Sequence, residues 1–192
     1  MKYILFILLG IVLTGTDKIN ENKVPVNWII AGDRPYDYRM GIDKDNGFYG
    51  GNAACIQSIS KKAKGFGTLM QQCLPGKFLG KKVRMSCMIK TENVKDWAGL
   101  WLRTDINDPY TVLGFDNMGD RPIKGSNDWK KYEIIMEIHP KCELINYGVL
   151  LSGSGKIWMD KFEFEILPDN EVKKENNNKP TLTEPSNLEF DN

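Results

Sequence analysis

The sequence predicts an all-β chain folded as an antiparallel sandwich, on three observations. Apolar residues recur with a period of two. Clusters of turn-forming residues separate the alternating runs. No stretch carries a helical apolar stripe longer than two turns. Short alternating strands with turns at this spacing are what a sandwich or barrel needs, and about eight to ten strands are expected from it.

The N-terminus comes first. Lys2 precedes an apolar run from Tyr3 to Leu13, too short to span a bilayer and matched to the core of a secretory signal peptide. Residues 1–16 are therefore read as a signal peptide and the protein as exported, with no transmembrane segment after its removal. A buried first strand or helix is the alternative. Leu13-Thr14-Gly15 resembles a lipoprotein signal, but Thr16 stands where Cys is required, so no lipid anchor is expected. Polar residues 17–24 read as a linker. Residues 25–168 form the sandwich. Residues 169–192 are rich in Asn, Glu, Lys and Pro and read as a disordered tail, because they hold too little apolar surface to offset ordering entropy.

Three runs in the folded unit show the alternation most clearly. Val83, Met85, Cys87 and Ile89 share one face of a strand, and Tyr132, Ile134, Met136 and Ile138 share one face of another. In residues 161–166, Phe162, Phe164 and Ile166 point in while Lys161, Glu163 and Glu165 point out. Turn signals at Asp45-Asn46-Gly47, Gly50-Gly51-Asn52, Leu74-Pro75-Gly76 and Ser152-Gly153-Ser154-Gly155 bound these runs. Of the cysteines Cys55, Cys73, Cys87 and Cys142, Cys87 is in phase with core residues. Export would permit disulfides, and four cysteines allow three pairings that sequence does not decide.

The segment from Trp97 to Arg103 holds the candidate site. Ala98, Leu100 and Leu102 form a core face, which leaves Trp97, Gly99, Trp101 and Arg103 outward. In the next strand Leu113 and Phe115 read as inward, and Val112, Gly114 and Asp116 as outward. Asp116 would then lie near Arg103, with Gly99 and Gly114 leaving space above the sheet. A sugar ring would stack on Trp101, while Arg103, Asp116 and Gln71 hydrogen-bond its hydroxyls. The alternative is a plain cross-strand pair with Trp101 under a loop. Trp129 reads as end packing of the sandwich, and the face of Trp158 is open.

Two stretches resemble the galactose-binding-like sandwiches, which include many carbohydrate-binding modules. They are Asn127-Asp128-Trp129-Lys130-Lys131-Tyr132 and the run Gly155 to Glu163, in that order. The resemblance covers about residues 25–168 and implies a jelly-roll topology. It also implies that Asp160 helps hold a structural calcium; turn capping is the other reading, and calcium needs six to eight oxygens. Gly65 to Gln71, Trp97 to Arg103, and Phe115 to Met118 with Arg121-Pro122-Ile123 resemble a bacterial sandwich group. Its members occur alone or attached to helix-turn-helix regulators. No helix-turn-helix is visible in this chain, so that resemblance implies a sensor or accessory domain.

Charge and motif content narrow the function. Lys and Arg number 26 against 25 Asp and Glu, with no basic run, so nucleic acid is not the expected partner. His139 is the single histidine, which rules out a three-histidine metal centre and leaves one candidate for a catalytic triad. No nucleophile elbow, Walker loop or dinucleotide fingerprint occurs. Tyr36, Tyr38, Gln71 and Arg103 keep a lyase-like alternative open, and the abundant carboxylates keep a hydrolase open. The reading that follows is a non-catalytic module binding a carbohydrate or similar polar ligand, with a protein-interaction domain as its rival. No cofactor is expected beyond the calcium of Asp160.

Overall fold

A computed structural model describes residues 19–20, 23–106, 111–168, 185 and 188–190. The strands are β1 (Ile19–Asn20), β2 (Ile29–Gly32), β3 (Tyr38–Asp43), β4 (Ala53–Ser58) and β5 (Phe66–Cys73). They continue with β6 (Lys82–Ile106), β7 (Thr111–Asp116), β8 (Ile123–Glu137), β9 (Leu144–Ser152) and β10 (Lys156–Leu167). The helical content of the described residues is two 3-10 turns, Pro35–Asp37 and Gly76–Phe78. No helix is long and apolar enough to cross a membrane among the described residues.

The 25-residue β6 explains the architecture. Its first part pairs with β10 on one side and β8 on the other; its last part pairs with β9 and β7. It thereby belongs to two sheets, β1-β3-β4-β10-β6-β8 and β2-β5-β9-β6-β7, and every strand pair in them is antiparallel. This is an all-β antiparallel sandwich, as the alternation predicts, with the jelly-roll topology that the resemblance implies.

The core lies between the sheets. Val83, Met85, Cys87 and Ile89 from the first part of β6 and Ala98, Leu100 and Leu102 from its last part are all buried in one cluster. Tyr147, Val149 and Leu151 join them from β9, with Ile134 and Ile138 from β8 and the strand-end residue after it. Phe162 is buried and Phe164 packs against the cluster, but Ile166 is 39% exposed at the fraying end of β10. A register shift between Asp160 and Glu163, with Lys161 at φ 53°, kinks β10.

All four cysteines are buried, and none is joined to another in a disulfide. Burial drives the Cys87 thiol well above its ordinary pKa and pushes Cys142 up to about 11. The predicted signal peptide lies outside the described residues. Of the predicted tail, Leu188–Phe190 is described, and Phe190 is fully buried in the core against Trp28 and Phe162. The Phe162 N–H donates to Leu188 O at 3.5 Å. This part of the segment belongs to the folded unit, since one large aromatic ring suffices to anchor a polar stretch.

Candidate ligand-binding face

Strand alternation on β6 leaves Trp97, Gly99, Trp101, Arg103 and Asp105 on the outer face of the second sheet. Register aligns Trp101 with Gly148 of β9, and Gly148 with Met70 of β5. One row further along, Arg103 lies opposite Asn146, and Asn146 opposite Gln72.

That second row is a continuous polar network. Gln72 Nε2 donates to Asn146 Oδ1 at 2.7 Å, and Asn146 Nδ2 donates to Asp105 Oδ2 at 2.6 Å. Arg103 Nε donates to the same Asp105 oxygen at 3.0 Å. Asn146 and Asp105 are buried, while the Arg103 side chain is 44% exposed. Asp105 thus fixes the guanidinium, whose other N–H groups remain available as a fork of donors.

Trp101 keeps its expected side of the sheet but not its expected exposure. It is 8% exposed, and its indole N–H donates to Thr68 Oγ1 at 2.9 Å; Thr68 in turn donates to Val149 O at 2.7 Å. Trp101 is a floor, not a stacking platform. Trp97 is half-buried beside Gly99, and a side chain at Gly99 would meet Asn117 O, the Trp97 ring and Met118. The loop after β7 therefore occupies the space that Gly99 was expected to leave open.

The second half of β7, residues 114–116, is placed one residue out of the predicted phase. A register shift between Thr104 and Asp105 sets Arg103 opposite Phe115 and Leu102 opposite Asp116. Phe115 is consequently 55% exposed on the outer face, although Leu113 packs against the core as expected. Gly114 faces Thr104 and Met136, not open space. Asp116 does not pair with Arg103: its carboxylate accepts the Met118 N–H at 2.8 Å and Arg121 Nη2 at 2.7 Å, closing the following loop.

Gln71 also leaves the predicted site. It is fully buried on the core side, where its Oε1 accepts the Tyr147 hydroxyl at 2.5 Å. Its neighbour Gln72 is the residue on the outer face. Leu69 and Cys73 are both apolar, and their phase puts Gln71 inside; that signal was present in the sequence. Nothing local pointed to Asn146 or Asp105.

Trp158 sits on the outer face of the first sheet at 6% exposure, covered by Lys156 (Nζ 4.3 Å from the ring centroid) and Lys90. Its N–H donates to Asp43 Oδ2 at 2.7 Å. Trp129 packs on this cluster and on Phe48, on the sheet's outside and not at the sandwich end.

Asp160 is buried and acts as a cap: its oxygens accept the N–H groups of Phe48 at 2.8 Å and Lys161 at 2.7 Å. Burial is the main cause of its raised pKa. Among the described residues no group of three or more His, Cys, Asp or Glu side chains is placed to hold a metal.

The residues of the lyase alternative are dispersed. Tyr38 and Gln71 are buried, Tyr38 in the core cluster, Arg103 lies on the outer face, and Tyr36 is 92% exposed. His139 Nδ1 accepts the Lys141 N–H at 3.0 Å within a turn.

Comparison with solved structures agrees with this architecture. The CBM22-1 xylan-binding domain of a Paenibacillus barcinonensis xylanase superposes with a TM-score of 0.56 at 11% identity, covering 80% of this chain and 94% of that domain. The fold is the jelly roll of carbohydrate-binding modules. A Clostridium thermocellum xylanase fragment containing CBM22-1, solved with xylohexaose, aligns with this jelly roll at TM-score 0.54 and 10% identity (83% of this chain, 28% of that one). A cyclase from Fischerella sp. TAU shares it at TM-score 0.51 and 14% identity, over 78% of this chain and 88% of the enzyme. These likenesses are of fold alone, and the fold hosts both binders and an enzyme, so function must be argued from the site.

No family model matches the chain. In sequence it is 39% identical over 167 residues to the uncharacterized HTH-type transcriptional regulator YbfP of Bacillus subtilis (strain 168). That alignment covers 85% of this chain and 56% of the regulator, so the chain spans little more than half of that relative's length. The match agrees with the resemblance to domains attached to helix-turn-helix regulators. The described residues here contain no α-helix.

Proposed function

We propose that this chain is a non-catalytic binding module that holds a carbohydrate or similar polyhydroxylated ligand on the outer face of the second sheet. The observation that carries the reading is the Gln72–Asn146–Asp105–Arg103 network, which crosses three strands beside Trp101. Ligands with several hydroxyls need donors and acceptors at fixed spacing. Side chains already locked to one another lose little entropy on binding. Phe115, exposed opposite Arg103, and half-buried Trp97 supply apolar surface for the C–H face of a ring.

The test is affinity electrophoresis against a panel of soluble polysaccharides, with Arg103→Ala and Phe115→Ala alongside. Losing one hydrogen bond from a charged group removes about 1.5–3 kcal/mol, or roughly 10- to 100-fold in affinity. Retardation that weakens by that factor in Arg103→Ala, at an unchanged melting temperature, supports the proposal. Retardation indifferent to both substitutions, or none with any glycan, sinks it.

The similarity to a named regulator favours one second reading: the same face senses a ligand for a protein that controls transcription. The two readings differ in compartment. The apolar run from Tyr3 to Leu13 supports export, and the mass of the mature protein tests it directly. Loss of the first ~16 residues, about where a signal peptide of this length would be cut, fits a secreted binder; a full-length mature chain fits a sensor.

A further inference from the structure

The outer face of the first sheet ends in a second concavity unrelated to the ligand face above. Three interruptions of regular structure build it: the end of β4 with the turn after it, the irregular middle of β6, and the turn between β9 and β10. Together they border an open cleft of about 490 Å³, within the range of small-molecule sites.

Its walls are cross-braced by the backbone. Ser58 N–H donates to Gly155 O at 3.0 Å, and Lys95 N–H to Ser154 O at 2.9 Å. Gly155 N–H donates to Ser58 Oγ at 3.0 Å, and Asn93 N–H to Ser126 Oγ at 2.9 Å. A side chain at Gly155 would meet Val94 Cα at 2.7 Å, and its φ of +144° is itself a conformation that favours glycine, so the turn lies flush on β6. The cavity is preformed.

Its chemistry is specific. Gln57, Lys156 and Glu92 stand side by side in cross-strand register. Lys156 is occupied by Asp43 at 3.3 Å and by the Trp158 ring. Lys61 and Lys95 are exposed lining residues with no ion pair among the described residues. The Gln57 Oε1 is buried with no donor among the described residues. An unsatisfied buried acceptor destabilises a fold, and rotating this amide toward the cavity would let a ligand hydroxyl satisfy it. Ser58 and Glu92 add a hydroxyl and an acceptor. Two ammonium groups with no ion pair among the described residues call for an anion; the amide, the hydroxyl and the carboxylate call for hydroxyl groups.

We infer that this cavity is a binding site for an acidic sugar residue, with Lys61 and Lys95 on its carboxylate and Gln57 and Glu92 on its hydroxyls. The site shares no residue with the Arg103 face, so either can fail without the other.

Calorimetric titration of the full chain with D-glucuronate, D-glucose and inorganic phosphate tests it. Glucuronate binds at least about tenfold tighter than either of the others. The double variant Lys61→Ala/Lys95→Ala abolishes that preference. Gln57→Met lowers glucuronate affinity about tenfold without lowering the melting temperature, since it removes an orphan acceptor at nearly constant volume. Arg103→Ala leaves glucuronate binding intact. The inference is overturned if glucose or phosphate binds as tightly as glucuronate. It is equally overturned if the lysine and Gln57 variants bind normally, or if Arg103→Ala alone abolishes binding.

Discussion

Trp101 shows at the residue scale how a side chain can lie on the outer side of a sheet and still be buried. An indole needs one acceptor once water is removed, and Thr68 Oγ1 supplies it while its hydroxyl donates to Val149 O. The ring is therefore a structural part of the floor. Trp101→Ala leaves a large void and should cost about 3–5 kcal/mol, a sizeable share of the about 5–15 kcal/mol that stabilises a typical domain. Urea denaturation followed by circular dichroism reads this as a lowered midpoint at constant slope. An unchanged midpoint would mean that Trp101 is a free platform after all. For the same reason Trp101→Ala is a poor probe of ligand binding, and Arg103→Ala, on an exposed side chain, is the better one.

Single elements show where alternation can be read and where it fails. Both parts of β6 and the last part of β8, residues 132–137, follow the period-two pattern, because their inward positions are mostly apolar. The second half of β7 does not, because the shift between Thr104 and Asp105 turns residues 114–116 over, and a one-residue slip exchanges the two faces of a strand. No local feature of residues 111–116 announces that bulge. The fold and the outward face of Trp97, Trp101 and Arg103 were thus legible; the polar network was not, since Gln72, Asp105 and Asn146 meet only through the register of three strands distant in sequence. The cavity escaped for the same reason: turns at residues 58–61, 92–95 and 154–156 say nothing of one another until the sheet aligns them. The observed phase of β7 has a measurable consequence. Phe115→Ala should change stability by less than about 1 kcal/mol, as surface substitutions do, whereas Leu102→Ala, fully buried, should cost about 2–5 kcal/mol. Equal losses on chemical denaturation would restore the predicted phase, with Phe115 inside.

At the scale of the whole molecule, one core unites the sheets, and its polar members set how the fold responds to alkali. Tyr147 is fully buried and Tyr38 is 5% exposed. Each hydroxyl donates within the protein, Tyr147 to Gln71 and Tyr38 to Gly65 O at 2.7 Å. Burial is the leading cause that raises both, Tyr38 to about 12 and Tyr147 further. Burial likewise raises Cys142 to about 11, from an ordinary 9.0. All are groups neutral when protonated, with folded pKa values above the unfolded ones. Their contribution to stability is complete below the unfolded pKa and is lost as pH climbs through the folded one. Cys142 acts from about pH 9 and Tyr38 from about pH 10, where phenols and thiols ionise freely in an unfolded chain. Stability should therefore hold through neutral pH and fall progressively above about pH 9. Each group adds at most about 1.36 kcal/mol per pH unit to that fall. Denaturation midpoints measured from pH 7 to 12 would show the decline. In Tyr38→Phe it should be shallower above pH 10 and unaltered between 9 and 10, where the thiols govern. A midpoint that stays level to pH 12 would place these hydroxyls and thiols in contact with water and the core in a different arrangement.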